Sequence, residues 1–248
     1  MNNEYQEQNK SLGPKTSIGV AMPQHQQAQN LPQSVGKGRP VDVVYVVDAT
    51  ESMTPYIQGV RAALKSGIDA LISYGLKVML GLIVFRDELM GDMPEITPLG
   101  APPILIKQTL DSCIARDGGD VPESSLKAIK RAIEMPGQRG KAQRVLLLVT
   151  DAPPHDPEGD LTSAHVSALL KQHRALLFAC APPIEPFTTL VNQTGGILYP
   201  IRRDLNETSF KDMLASLAEH THVTLTALAD AELAEHARKA ARNTIIYS

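Results

Sequence analysis

The stretch Val41 to Ser52, VDVVYVVDATES, constrains this chain more than any other. It begins as a run of Val and Tyr and ends on Asp48, Thr50 and Ser52. A short run rich in β-branched side chains reads as a strand buried on both faces. In an open parallel sheet the carboxyl end of such a strand is where ligands bind, and here oxygen-bearing side chains fall where the strand should stop. Asp48, Thr50 and Ser52 alternate with Ala49 and Glu51, so a chain that stays extended over the turn points all three to one side. One carboxylate and two hydroxyls suit a hard cation, Mg²⁺ first, with Mn²⁺ or Ca²⁺ as alternatives. No Cys or His belongs to the set, which disfavours soft metals.

Downstream, strands and helices alternate. Pro55 opens a helical pattern with Ile57, Val60, Leu64, Ile68, Leu71 and Ile72 on one face, and Gly75 fits its end. Leu76 to Phe85 reads as a second buried strand, completing a βαβ unit with a parallel pairing. Arg86-Asp87 falls at its carboxyl end, as an ion pair or turn cap, with a role behind the site or toward a partner as the alternative. A short edge strand is expected around Glu95 to Thr97. Pro103 to Ile114 reads as a helix with Ile106, Leu110, Cys113 and Ile114 on one side.

The segment Gly118-Gly119-Asp120-Val121-Pro122-Glu123 combines permissive glycines with Asp120 as an N-cap and Glu123 in an incomplete capping box. The helix after it buries Leu126, Ile129 and Ile133. Ala142 to Thr150 is a third apolar strand, and Asp151 stands just past it, followed by Ala152-Pro153-Pro154-His155. His155 has no nucleophile beside it in sequence and reads as a surface-loop histidine. A helix over Leu161 to His173, a strand over Ala175 to Cys180, a helix over Ile184 to Gln193 and a short strand over Ile197 to Tyr199 follow. Two further helices are expected over Glu207 to Val223 and Asp230 to Arg242.

Three of these loops carry a resemblance. Asp48-x-Thr50-x-Ser52 after a Val-rich strand resembles the metal-ion-dependent adhesion site of von Willebrand factor A domains, whose first loop usually reads Asp-x-Ser-x-Ser. Many A domains carry GGT in the second loop, with the Thr on the metal. A bacterial variety carries GGD followed by Pro-Glu, which this chain resembles more closely. The run Thr150 to His155 is similar to the third loop of those domains. The resemblance covers roughly Val41 to Val223. It implies a Rossmann-like, doubly wound α/β fold with a mostly parallel sheet, one antiparallel edge strand, and helices on both faces. It also implies a metal set of Asp48, Thr50, Ser52, Asp120 and Asp151, where Asp120 could otherwise only cap its helix. The implied function is protein binding without catalysis, inside a larger assembly, with an acidic residue of the partner as a candidate last ligand. Asp120 in place of Thr makes three carboxylates around a divalent ion, a net charge of about −1, which favours metal and weakens the pull on a partner's carboxylate.

Composition sets the remaining bounds. Residues 1–40 are rich in Gln, Asn, Ser, Gly and Pro, and read as a disordered tail. Residues 41–225 form the expected domain, and 226–248 a helical appendage. No 18-residue apolar stretch exists, so no transmembrane helix is expected, and the N-terminus lacks a signal-peptide pattern. Cytoplasm is the expected location. The net charge of −3 and the absence of a basic stripe in the sequence make nucleic acid an unexpected partner. The two cysteines, Cys113 and Cys180, have neither zinc nor disulfide spacing. The competing reading is a metal-dependent phosphatase or phosphotransferase built on the strand-end aspartates. Against it, the chain lacks Asp-x-Asp-x-Thr, a P-loop and GxSxG.

Overall fold

The structure is a computed structural model, and it describes residues 40–73, 77–118 and 121–201. Six strands form one sheet in the order β3-β2-β1-β4-β5-β6. They are β1 (Val41–Asp48), β2 (Val78–Phe85), β3 (Glu95–Thr97), β4 (Gln143–Val149), β5 (Ala175–Ala181) and β6 (Leu198–Pro200). β1 lies at the centre, parallel to β2 and β4, and β5 and β6 continue the parallel run. β3 closes one edge antiparallel to β2. This is the expected Rossmann-like, doubly wound arrangement, including the antiparallel edge strand.

The apolar run of β1 is continuous because both its faces are covered. Val43, Tyr45 and Val47 pack with helices α1 (Ile57–Ser73) and α2 (Pro103–Ser112). Val44 and Val46 pack with α3 (Ser125–Glu134), α4 (Ser163–Gln172) and α5 (Phe187–Thr194). α1 shows the cause at residue level. Its buried positions include Ile57, Val60, Leu64, Ile68 and Leu71, which fall on one face at helical spacing, each contributing about 1.5–3 kcal/mol of burial.

Two local expectations are corrected. Ile114 lies past the end of α2 and is 62 % exposed, so it does not join Ile106 and Leu110 inside. α3 starts at Ser125 with Ser124 in the N-cap position, so Glu123 precedes the helix and no capping box forms there. Glu123 instead pairs as a parallel bridge with Pro154. The backbone of loop three competes for Glu123 and wins, because it satisfies both the N–H and the C=O of that residue. The tail, Asp120 and the two C-terminal helices lie outside the described residues, except for Pro40. Among the described residues, no helix is long and apolar enough to cross a membrane.

Candidate functional site

The pairing of β1 with β4 sets Val47 opposite Val149, so the two strands end together. Asp48 closes β1 and Asp151 follows β4 after one residue. The chain does not stay extended past Thr50. Residues Glu51–Met53 form a 3-10 turn, and Thr50 holds the extended N-cap position before it. The turn, rather than strand alternation, brings Ser52 to the site. The expected convergence is met by a different local geometry.

Four of the five expected oxygen residues form one connected chain. Asp48 Oδ1 accepts from the Thr50 backbone N–H at 2.9 Å and from Thr50 Oγ1 at 2.7 Å. Thr50 Oγ1 lies 3.1 Å from Ser52 Oγ. Ser52 Oγ donates to Asp151 Oδ1 at 2.7 Å. The fifth residue, Asp120, lies outside the described residues. Ser52 is exposed, whereas Asp48 is fully buried.

The protons of this chain decide what it can hold. Thr50 and Ser52 own one hydroxyl proton each. With both carboxylates ionised, each proton points at a carboxylate. Three side-chain contacts, Thr50 to Asp48, Thr50 to Ser52 at 3.1 Å and Ser52 to Asp151, then share two hydroxyl protons, so the set is one proton short. Added positive charge is favourable beside an oxygen set that is short of protons. The spacing is also suitable. Adjacent ligands of an octahedral ion with bonds of about 2.0–2.1 Å stand about 2.9 Å apart. The observed contacts run from 2.7 to 3.1 Å. The donor set is all oxygen, so the residues present fit a hard divalent cation.

The electrostatics agree. Burial pushes the Asp48 carboxyl up to about 6, and the charge of Asp151 adds to the rise. Hydrogen bonds from Thr150 and Thr50 oppose it. Among the described residues, no Lys, Arg or His forms an ion pair with either carboxylate.

Thr150 is the residue that the sequence reading missed. Its hydroxyl donates to Asp48 Oδ2 at 2.6 Å. The signal was available in the strand register, which sets the residue after Val149 beside Asp48. Loop two reaches the site through Gly118, at φ +82°. A Cβ there would stand 2.5 Å from Thr50 Cγ2, so only glycine permits this approach. Backbone bonds from Arg116 to Ala49 and from Glu51 to Asp117, each 3.0 Å, dock loop two on loop one.

Behind the site, Asp87 joins the loops. It caps the turn after β2 by accepting from Leu89 N–H at 2.9 Å, and it accepts from Ser124 Oγ at 3.2 Å. His155 is only partly exposed, and its Nε2 lies 3.3 Å from Asp87 Oδ1, off hydrogen-bond alignment. Its backbone N–H donates to the Glu123 carbonyl at 3.0 Å. His155 is therefore a loop-joining residue and not a free surface histidine. Arg86 behaves as expected, pairing with Glu95 at 3.3 Å, and it also donates to the Ile114 carbonyl at 3.1 Å.

Comparisons with known proteins give the family and the fold. The family model described as von Willebrand factor A domain matches residues 42–178, more than half of the chain. Among solved structures, the SpRpn10 VWA domain is similar at a TM-score of 0.56 and 12 % identity, over 73 % of this chain and 95 % of that one. The pilus adhesin SpaC from Lactobacillus rhamnosus GG, in an open conformation, is similar at 0.58 and 14 % identity. That match covers 75 % of this chain and 30 % of the adhesin chain. At such identities the likeness is one of fold. No curated protein matches the sequence.

Proposed function

This chain belongs to the von Willebrand factor A domain family, and on that premise we propose that it is a non-catalytic protein-binding module organised by a divalent cation. Asp48, Thr50, Ser52, Asp120 and Asp151 hold the ion, with Mg²⁺ first and Mn²⁺ or Ca²⁺ as alternatives. The observation that carries the reading is the convergence of the Asp48, Thr50, Ser52 and Asp151 oxygens in one connected set with contacts of 2.7 to 3.1 Å, beside a buried Asp48. The cation supplies positive charge to the loop oxygens. The chain's own residues do the rest. Thr150 and Thr50 orient Asp48, Ser52 orients Asp151, and Gly118 lets loop two close over them.

The partner is a protein held within a larger assembly. Three carboxylates already over-neutralise the ion, so the metal acts first to fix three loops in one shape, and an acidic ligand from the partner is secondary. A phosphotransferase reading is the weaker one, because Asp48 is fully buried and both its oxygens are engaged. The chain also lacks the second aspartate of Asp-x-Asp-x-Thr, since Thr50 stands two residues after Asp48, so the general acid of that chemistry is missing. The proposed module occupies 41–225 in a cytoplasmic protein, without nucleic acid or membrane as partners.

Calorimetric titration of Mg²⁺ into the metal-stripped full chain tests this. Saturable binding that is lost in Asp48→Ala and weakened in Ser52→Ala, whose side chain is exposed and tolerant of replacement, supports the proposal. Absence of binding by the native chain overturns the metal-organised mechanism.

A further inference from the structure

The charges of this fold are sorted by pole. At the carboxyl ends of the parallel strands, Glu51, Asp92, Asp117, Asp156, Asp160 and Glu185 are exposed or half-exposed on the connecting loops. Among the described residues, basic side chains at that end are engaged locally. Arg116 lies 3.5 Å from Asp117, Arg86 3.3 Å from Glu95 and Lys127 3.4 Å from Glu158, while Arg131 faces Glu88. At the amino ends the sign reverses. Among the described residues, Lys77, Arg144, Lys171 and Arg174 lead into the strands or stand near their first positions, with Arg144 also facing His173. Asp42 and Glu134, described acids near this pole, are paired. Asp42 is 2 % exposed and bound by Arg139 at 2.6 Å, and Glu134 lies 2.5 Å from Lys130.

The basic row is fixed in place. The register sets Val41 beside Val78 and Gln143, and Arg144 beside Ala175. Arg139 donates to the carbonyls of Val41 at 2.8 Å and Lys77 at 2.9 Å. Gln143 Nε2 donates to the carbonyl of Arg174 at 2.9 Å. The loops that carry Lys77 and Arg174 are therefore tied to the strand starts. Four strands about 4.8 Å apart spread the cations over roughly 15 Å. Lys171 lies in the last turn of α4, where the helix dipole favours a cation. Lys77, Arg144 and Arg174 stand outside any helix, so the dipole does not account for them.

We propose that these poles are complementary docking surfaces of this same chain, the basic amino pole of one copy seating on the acidic carboxyl pole of the next. The occupant is a second copy because the opposite pole has the matching sign and is built on the ends of the same strands, hence at the same width. The contact is heterologous, so it repeats into a row of copies or closes into a ring. Surface charge makes it fast to form and sensitive to salt. It does not depend on the metal. A divalent ion adds positive charge to the acidic pole, so the contact is strongest in chelator.

Sedimentation velocity of the full chain in EDTA, at high micromolar concentration, tests it. The weight-average mass is expected to rise about twofold or more at low salt and return to that of the monomer at high salt. Lys77→Glu with Arg174→Glu reverses one pole, and Asp92→Lys with Asp160→Lys reverses the other. All four side chains lie outside the core, and far-UV circular dichroism checks the fold. Each double variant alone should remain monomeric at low salt, and an equimolar mixture of the two should associate again. Lys77→Gln with Arg174→Gln, free of new charge, should show intermediate loss. A native chain that stays monomeric at low salt overturns the proposal. So does association indifferent to salt or to the reversals, and so does a mixture that stays monomeric.

Discussion

Thr150 gives its hydroxyl proton to Asp48 Oδ2 at 2.6 Å, across the seam where β1 and β4 end together. Thr150 Oγ1 itself accepts from the Ala152 N–H at 3.2 Å. Thr150 thus fixes both the first-loop carboxylate and the start of the third loop. Thr150→Val keeps the shape and leaves Asp48 Oδ2 without its donor. A stability loss of about 1–3 kcal/mol is expected, read as a lower urea midpoint with unchanged slope.

The raised Asp48 carboxyl makes metal-free stability depend on pH. In the fold Asp48 holds its proton up to about 6, against an ordinary 3.8. The folded state therefore binds this proton more tightly than the unfolded chain. Its contribution is fully present below pH 3.8 and is lost as pH rises through about 6. The amount is on the order of 3 kcal/mol. In EDTA, urea midpoints of the native chain should carry this downward component between pH 4 and pH 7. Asp48→Asn, which can still accept from the Thr50 N–H, should lack it. Parallel pH profiles for the two proteins would refute the assignment.

Gly118→Ala tests the approach of loop two. The new Cβ would meet Thr50 Cγ2 at 2.5 Å, on a backbone at φ +82°. Both effects act together, and a loss of more than about 1 kcal/mol is expected. Mg²⁺ affinity should fall as well, because Thr50 must move. Calorimetry and urea unfolding on one preparation separate the two effects.

His155 tests whether the loops behind the site are coupled to it. His155→Ala removes the contact with Asp87 but keeps the backbone bond to Glu123. Mg²⁺ affinity should fall, by less than the roughly tenfold loss that follows removal of a group hydrogen-bonded directly to a ligand. His155→Gln, which can still reach Asp87, should recover most of it. Equal losses in both variants would show that the imidazole contact is irrelevant.

Much of the fold was legible because the sequence carries long, unambiguous signals. The Val run of β1 and the helical spacing of Ile57, Val60, Leu64 and Ile68 led directly to a central parallel strand and its crossover helix. The edge strand at Glu95–Thr97 was also readable. The convergence of Asp48, Thr50, Ser52 and Asp151 was readable because each stands at or just past a strand end. What the sequence hid is what depends on partners distant along the chain. Thr150 became a site residue only through strand register. Glu123 left its helix because loop three offered its backbone better partners. His155 met Asp87 only once two loops had folded together. The basic row was invisible for the same reason. Lys77, Arg144 and Arg174 are scattered in sequence, and the sheet gathers them.

Among the described residues, both borders of the sheet are three-residue strands, Glu95–Thr97 on one side and Leu198–Pro200 on the other. Glu95 is an exposed charge on the first, and Pro200 lacks an N–H on the second. A neighbouring strand that tried to zip onto either border would find few donors and acceptors in register, and a charge or a ring in the way. These two borders of the described sheet therefore offer little to a lateral, amyloid-like pairing of copies.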